Sequence, residues 1–194
     1  LNIIGRGEMI LKDKMKALVK AEAAPGAIIK MVDIPELGPH DVLVKVAAAS
    51  ICGTDFHIFN WDKWAASRIK PPLVFGHEMS GHIARVGAAV KYWQVGDYVS
   101  LECHKTCGHC FQCRTGQGHI CRDYSILGVD FAGCFAEYVC VSEYNLWKNE
   151  EHIHPEVACL QDPIGNAVMA ASAADITGKK VLVTGCGAIG LLTV

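Results

Sequence analysis

Four cysteines crowd into fifteen positions as Cys107-x2-Cys110-x2-Cys113-x7-Cys121. A structural zinc is held by four thiolates in a tetrahedron, with sulfur about 2.3 Å from the metal. Two-residue gaps let the backbone curl so that consecutive sulfurs face one centre, and Gly108 and Gly116 relax the turns. Metal at such a site contributes on the order of 10–16 kcal/mol to ordering a small lobe. The alternative is a group of free or oxidised thiols, which short, regular spacing in a reducing compartment disfavours. Cys103, His104, His109 and His119 are rival ligands. The ring of His109, inside the first gap, would point away from the centre, and Cys103 would need a longer arc. The expected structural set is therefore the four evenly placed cysteines.

A more dispersed constellation joins Cys52-Gly53-Thr54-Asp55-Phe56-His57 to Gly76-His77-Glu78. A catalytic zinc takes protein ligands on three sides and keeps a position for water or substrate, which one Cys, one His and one carboxylate would suit. From spacing alone the signal is weak, and a buried cysteine and a histidine at a turn are commoner as plain core residues. A third motif, Gly185-Cys186-Gly187-Ala188-Ile189-Gly190, follows the apolar run Val181–Thr184 and precedes an apolar helix start. Such glycines let a cofactor pyrophosphate approach the backbone, and the helix N-terminus favours its charge. An ordinary glycine turn is the plainer reading. Only four residues follow Gly190, so the acidic residue expected about 20 positions on, which holds the ribose, is not reached.

Elements able to position these groups are legible as short apolar runs. Lys16–Lys20, Ile28–Ile34, Asp41–Ala48, Ser80–Val86, Asp97–Glu102 and Phe135–Val141 read as strands between Gly and Pro turns. Many short strands of this kind predict a barrel or sandwich. The stretch Cys103–Gly128 has no periodicity, and a compact domain keeps such a loop when a cross-link or function holds it. Beyond about Asn149 the pattern turns helical. Pro155–Gln161 fits a short helix, Asp162-Pro163 reads as N-cap and first position of another, and Gly178-Lys179-Lys180 closes it. Val181–Thr184 then reads as a buried strand.

Composition narrows the classes. The 194 residues are 51% hydrophobic, with 18 basic against 20 acidic side chains and a net charge of −2. No basic excess exists to displace counterions from nucleic acid or anionic lipid, and no uncharged apolar run reaches the roughly 18 residues that span a bilayer. Ten cysteines in this length are too sparse for a small disulfide scaffold. Leu1–Lys14 mixes Glu8 and Asp13 with Arg6, Lys12 and Lys14, without the apolar core of a secretion signal, so a cytoplasmic home is expected.

Taken in order, Cys-Gly-Thr-Asp-x-His, Gly-His-Glu, the four-cysteine lobe and G-x-G-x-x-G resemble the zinc-dependent medium-chain alcohol dehydrogenase superfamily, from Met15 to Val194. The resemblance implies a mainly β GroES-like catalytic domain over 15–154 after an N-terminal extension over 1–14. Over 155–194 it implies connecting helices and the start of an α/β Rossmann domain, cut after its first strand and glycine loop. It implies two zinc ions per subunit and NAD. Cys52, His77 and Glu78 would hold the catalytic zinc, and Cys107, Cys110, Cys113 and Cys121 the structural one. Thr54 and His57 correspond to a proton relay, Asp162 to a residue beside the metal that assists proton transfer, and Ile189 to a cofactor contact beside Gly185, Gly187 and Gly190. Plainer roles remain for three of these: Asp162 as a helix cap, Thr54 as a turn cap, His57 as a solvated histidine.

Within the superfamily, His57-Ile58-Phe59-Asn60-Trp61-Asp62-Lys63-Trp64, His104-x-x-Cys107-Gly108-His109-Cys110 and Asp162-Pro163-x-Gly165-Asn166-Ala167-Val168 resemble members that oxidise the 3-hydroxyl of L-threonine. Departures are Leu101 and Cys103 where those members usually carry glycines, and Gln161, Ile164 and Met169 around the pocket. A polyol or secondary-alcohol dehydrogenase shares every metal residue and is the nearer rival. A zinc-knuckle nucleic-acid module is the distant one, disfavoured because Glu102 and Asp123 offset Lys105, Arg114 and Arg122. A third reading is a fragment that folds, holds two zincs and catalyses nothing. The resemblance also implies a homo-oligomer, commonly a tetramer, acting on a small molecule with no nucleic acid or membrane partner.

Overall fold

The computed structural model describes residues 13–194 together with Ile3–Ile4 and Glu8–Met9. These two upstream pieces, β1 (Ile3–Ile4) and β2 (Glu8–Met9), pair antiparallel; most of the extension expected over 1–14 lies outside the described residues. The body is built on two antiparallel sheets. Three strands, β3 (Lys14–Lys20), β4 (Ile28–Asp33) and β6 (Leu73–Val74), form one in the order β4-β3-β6. The larger sheet runs β11-β5-β7-β8-β12 and comprises β5 (Asp41–Ser50), β7 (Glu78–Val86), β8 (Tyr98–Leu101), β11 (Tyr138–Ser142) and β12 (Leu146–Lys148). The strands expected between Lys16 and Val141 are present with shifted ends, and the mainly β reading holds.

Alternation of side chains sets which face is buried. In β3 Met15, Ala17 and Val19 point inward, while Val42, Val44, Met79, Ile83, Val99 and Val139 interlock in the core of the larger sheet. Gly81 lets β7 approach β5 closely, since a Cβ there would collide with the carbonyl of Lys45. The run Phe135–Glu137, read as strand, instead crosses between the sheets: Phe135 N–H donates to Phe75 O at 3.0 Å and Leu18 N–H to Phe135 O at 2.8 Å.

Two helices sit between β5 and β6: α1 (Gly53–Asn60) and α2 (Lys63–Arg68). The sequence carried their signals in Asp55 and Asp62. Asp55 Oδ2 accepts from Cys52 N–H at 2.8 Å, and Asp62 Oδ1 caps α2 by accepting from Ala65 N–H at 3.0 Å. Past β8, the stretch without periodicity is a lobe closed at its neck by β9 (His104–Lys105) and β10 (Ser125–Ile126), with one short helix, α3 (Phe111–Arg114), inside.

The C-terminal third departs from expectation in three places. The first helix is shorter, α4 (Pro155–Ala158), and the next, α5 (Gln161–Ala171), begins at Gln161 with Leu160 as its N-cap. Asp162 is thus not a cap; it lies in the first turn, with its side chain turned toward Cys103. The same helix stops at Ala171 rather than at Gly178, and beyond it Asp175 Oδ1 accepts from Thr177 N–H at 3.0 Å in a local turn. Finally, Val181–Thr184 is not a strand, and Leu182 is 85% exposed. A strand of this apolar kind needs neighbours on both edges and both faces, and among the described residues none pairs with it. The final helix, α6 (Ala188–Thr193), does follow the glycine loop. No helix among the described residues is long and apolar enough to cross a membrane.

Lys20 anchors α1 to the smaller sheet. It is fully buried, its Nζ donates to the carbonyls of Ala24, Gly26 (2.8 Å) and Phe59 (3.1 Å), and it lies 5.0 Å from the centre of the Trp61 ring. Replacing it removes the side-chain donor from three part-buried carbonyls, of which that of Phe59 keeps the bond from Gly26 N–H, and a lost bond of this kind costs about 1–3 kcal/mol. Lys20→Met is therefore expected to lower the unfolding free energy by about 3 kcal/mol, read as a shifted urea midpoint at unchanged slope; an unchanged midpoint would contradict the anchoring role.

Candidate functional site: two clusters of metal donors and a glycine loop

The pairing of β5 with β7 sets Ser50 opposite Glu78. Cys52, two residues beyond β5, is thereby brought against His77 and Glu78 at the start of β7. Donor atoms of the three lie within 4.8 Å of one another; His77 and Glu78 are each 5% exposed and Cys52 is half-buried. Ser50 Oγ donates to Glu78 Oε2 at 2.5 Å. Behind His77 stands Asp55, with Oδ1 3.7 Å from Nδ1, and neither buried atom has a hydrogen-bond partner.

Electrostatics inside this cluster are those of a group of donors lacking a counter-charge. A hydrogen bond from His77 holds the Cys52 thiol below its ordinary range. Burial pulls His77 down, but Cys52 and Asp55 outweigh it and raise the imidazole overall. Burial lifts the Asp55 carboxyl above its usual range. A thiolate, an imidazole and a carboxylate, with orphaned polar atoms behind them, fit a divalent metal of the zinc type.

Thr54 and His57 stand three apart on α1 and so share a face. The Cys52 thiol donates to Thr54 Oγ1 at 3.7 Å, placing Thr54 at the cluster. His57 is exposed; its Nδ1 is bonded to Asp62 Oδ2 at 2.5 Å and its ring meets Trp64 edge-on at 5.9 Å. Asp55 and Asp62 are supporting groups the sequence reading did not single out, although Asp62 had a legible cap position. Asp162 is half-buried against Cys103, and burial, then the charge of Glu102, raise its carboxyl above the usual range.

The four-cysteine lobe is closely gathered. Cys121 Sγ lies 3.5 Å from Cys107 Sγ and 3.9 Å from Cys110 Sγ, and Cys107 Sγ lies 4.0 Å from Cys113 Sγ. A tetrahedron with 2.3 Å arms has edges of about 3.8 Å, so the spacing fits zinc. All ten cysteines are free. Gly108 and Gly116 adopt φ of 73° and 77°, the left-handed turns that curl the lobe. Backbone N–H groups of Cys107 and Asp123 point at Cys121 Sγ and that of Cys110 at Cys107 Sγ, each at 3.4 Å, and those of Cys113 and Arg122 hold the Cys110 thiol down to about 6. His109 is outside the set, its Nδ1 bonded to Cys107 O at 2.8 Å. Cys103 and His104 also lie outside it, and gather with Glu102 and Asp162 in a cluster of their own.

The glycine loop lines a cavity of about 690 Å³ with Gly185, Gly187, Ile189 and Gly190, and Gly53, the neighbour of Cys52, lines the same cavity. Gly187 caps α6, and a side chain at Gly190 would collide with the carbonyl of Gly185.

Residues 38–151 match the alcohol dehydrogenase GroES-like domain. The chain belongs to that family. Over 184 residues it is 52% identical to an L-threonine 3-dehydrogenase of Symbiobacterium thermophilum, covering 95% of this chain and 52% of the relative. It is also 52% identical over 182 residues to an L-threonine 3-dehydrogenase of Pyrococcus abyssi, covering 94% and 52%. A short chain alcohol dehydrogenase from Escherichia coli CFT073, solved with the cofactor NADH, superposes with a TM-score of 0.84 at 33% identity over 94% of this chain and 52% of that one. The chain thus spans about half the length of the curated relatives it matches. The resemblance read from the motifs is borne out, and with it the GroES-like fold.

Thiol chemistry checks the geometry directly, because alkylation follows the thiolate. In folded protein from which only the metal of the Cys52 cluster has been removed, iodoacetamide near neutral pH is expected to modify Cys52, whose thiol is lowered, well before Cys103 and Cys134, which burial pushes far up. Peptide mass spectrometry over time reads the order; equal rates at the three would contradict the site electrostatics.

Proposed function

We propose that this chain is the catalytic portion of a zinc- and NAD-dependent dehydrogenase that oxidises L-threonine to 2-amino-3-oxobutanoate. The observation that carries the reading is the convergence of Cys52, His77 and Glu78 within 4.8 Å, next to the cavity that the glycine loop shares with Gly53. The identity to two L-threonine 3-dehydrogenases supports the substrate. In this reading 15–154 is the catalytic domain, and 155–194 holds connecting helices and the start of a nucleotide-binding domain in which Gly185, Gly187, Ile189 and Gly190 contact NAD.

Cys52, His77 and Glu78 would hold the catalytic zinc, and Cys107, Cys110, Cys113 and Cys121 the structural one. The chemistry that zinc and NAD supply when bound is Lewis-acid activation of a hydroxyl and acceptance of a hydride from its carbon. The chain's own residues handle orientation and the proton. A proton on His77 Nδ1, directed at Asp55, leaves the other ring nitrogen as the donor to metal. Thr54 takes the substrate hydroxyl proton and passes one on, since a hydroxyl donates and accepts at once. His57, held by Asp62, receives it at the surface and releases it to water. Asp162, whose carboxyl burial and the charge of Glu102 raise above the usual range, supports the same proton transfer. The balance is L-threonine plus NAD⁺ giving ketone, NADH and one proton.

In the complete enzyme, turnover with NAD is expected on L-threonine and to be far slower on sorbitol and 2,3-butanediol; the reverse order would hand the reading to a polyol dehydrogenase. Cys52→Ser is expected to abolish turnover with folding intact, and His57→Ala to lower kcat by about 10²-fold. Activity persisting after the Cys52 site has lost its metal would reject the assignment. Cys113→Ser is expected to lose a different metal equivalent and to unravel 103–128, seen as proteolytic cleavage confined to that stretch.

A further inference from the structure

Two strands of the larger sheet carry serines on the face turned away from the core. On β7 and β8, Met79, Val99 and Leu101 pack into the core. Alternation therefore puts Ser80 and Ser100 on the opposite face, where they stand directly across from each other. The outer face of an antiparallel sheet commonly meets water, yet both serines are fully buried. What covers them is α4: Ser80 Oγ donates to Pro155 O and Ser100 Oγ to Ala158 O, each at 2.7 Å. Tyr98, two residues before Ser100 on the same face, donates its hydroxyl to Ile153 O at 3.1 Å.

These bonds suit a helix that could not stand alone. A helix of four residues is far below the roughly 12–15 that an isolated one needs in water. Its last carbonyls have no partner within the helix, and the sheet supplies the missing donors. Ser100 Oγ accepts from the Asn149 amide at 2.9 Å, so its one proton is free for Ala158 O. Ser50 Oγ lies 3.4 Å from Cys159 O, at the same helix end, while its proton goes to Glu78 Oε2. Only Cys159 and Leu160 separate α4 from α5, so the seat of α4 decides where Asp162, in the first turn of α5, stands. Asp162 lies against Cys103, just past the end of β8, and within reach of the charge of His77.

We propose that Ser80 and Ser100 are positioning residues: their hydroxyls dock α4 on the outer face of the larger sheet and so hold Asp162 beside the cluster of Cys52, His77 and Glu78. The catalytic consequence rests on the proposed oxidation of L-threonine; the docking rests on the hydrogen bonds alone. Without the two hydroxyls, the carbonyls of Pro155 and Ala158 find partners only by turning to water. α4 then lifts from the sheet, and the first turn of α5 loses its fixed start. A proton-transfer group is sensitive to such a shift, since a displacement of about 1 Å can cost up to about 10²-fold in rate.

Hydrogen–deuterium exchange on the 194-residue chain reads the docking. The amides of Val157, Ala158 and Cys159 bond to the carbonyls of His154 and Pro155. In the double variant Ser80→Ala, Ser100→Ala they are expected to exchange about tenfold faster, with β5 and β11 unchanged. Unaltered exchange at the three overturns the docking, whatever the activity. In the complete enzyme the same double variant is expected to lower kcat on L-threonine about tenfold, but less than about twofold in an Asp162→Asn background. Bonds that act through Asp162 lose their effect once its carboxyl is gone, whereas a merely weakened fold costs the same in both backgrounds. Equal losses therefore overturn the positioning role. Because exchange needs neither zinc, NAD nor substrate, failure of the L-threonine reading is separable from failure of the docking. Should the double variant fold poorly, Ser80→Ala alone is expected to speed the same exchange about threefold, and an unchanged rate likewise overturns the docking.

Discussion

The site depends on one register. Because β5 and β7 pair with Ser50 opposite Glu78, the residue that starts α1 and the pair that starts β7 meet at one end of the larger sheet. A slip by one residue would turn Glu78 to the other face and carry Cys52 away from His77. The bulges between Leu43 and Val44 and between Val46 and Ala48, and the close approach at Gly81, fix that register. The bond from Ser50 Oγ to Glu78 Oε2 sits on the same rung, so the pairing that builds the sheet also aims the carboxylate.

A second consequence of this pairing is a concentration of like charge. Cys52 and Glu78 on one side, and Glu102, Cys103 and Asp162 on the other, are neighbours, and the charge of Cys52 contributes to the raised Cys103 thiol. Low dielectric strengthens each interaction, so these groups keep their protons or take cations. The four-cysteine lobe solves the same problem with backbone N–H groups around its sulfurs. Its neck, β9 with β10, ties that lobe to the segment carrying Glu102 and His104. The lobe and the site therefore share a foundation although their metals would not touch.

Much of this was legible in the residues and some was not. Strands β3, β5, β7 and β11 announced themselves as short apolar runs between Gly and Pro turns, and the four-cysteine spacing translated directly into sulfurs 3.5–4.0 Å apart. α1 and α2 went unread because their signals are the side-chain caps Asp55 and Asp62 rather than a long apolar stripe. Asp162 was read as a cap because Asp before Pro is a common helix start; contact with Cys103 and the preceding α4 moved the start to Gln161. Val181–Thr184 has the composition of a buried strand, and composition cannot supply the neighbours a strand requires.

What the residues alone determined were the local matters: sheet rather than bundle, the sulfur cage, and the turn that places Gly187 before α6. These follow from side-chain periodicity, short loops and backbone sterics, which act over a few positions. Only the tertiary structure decided that Cys52 faces His77 and Glu78 across 25 residues, and that Asp162 reaches Glu102 and Cys103 across some sixty. Those contacts arise from strand register and helix packing, which depend on the whole core at once and leave no mark in the spacing of the residues they bring together.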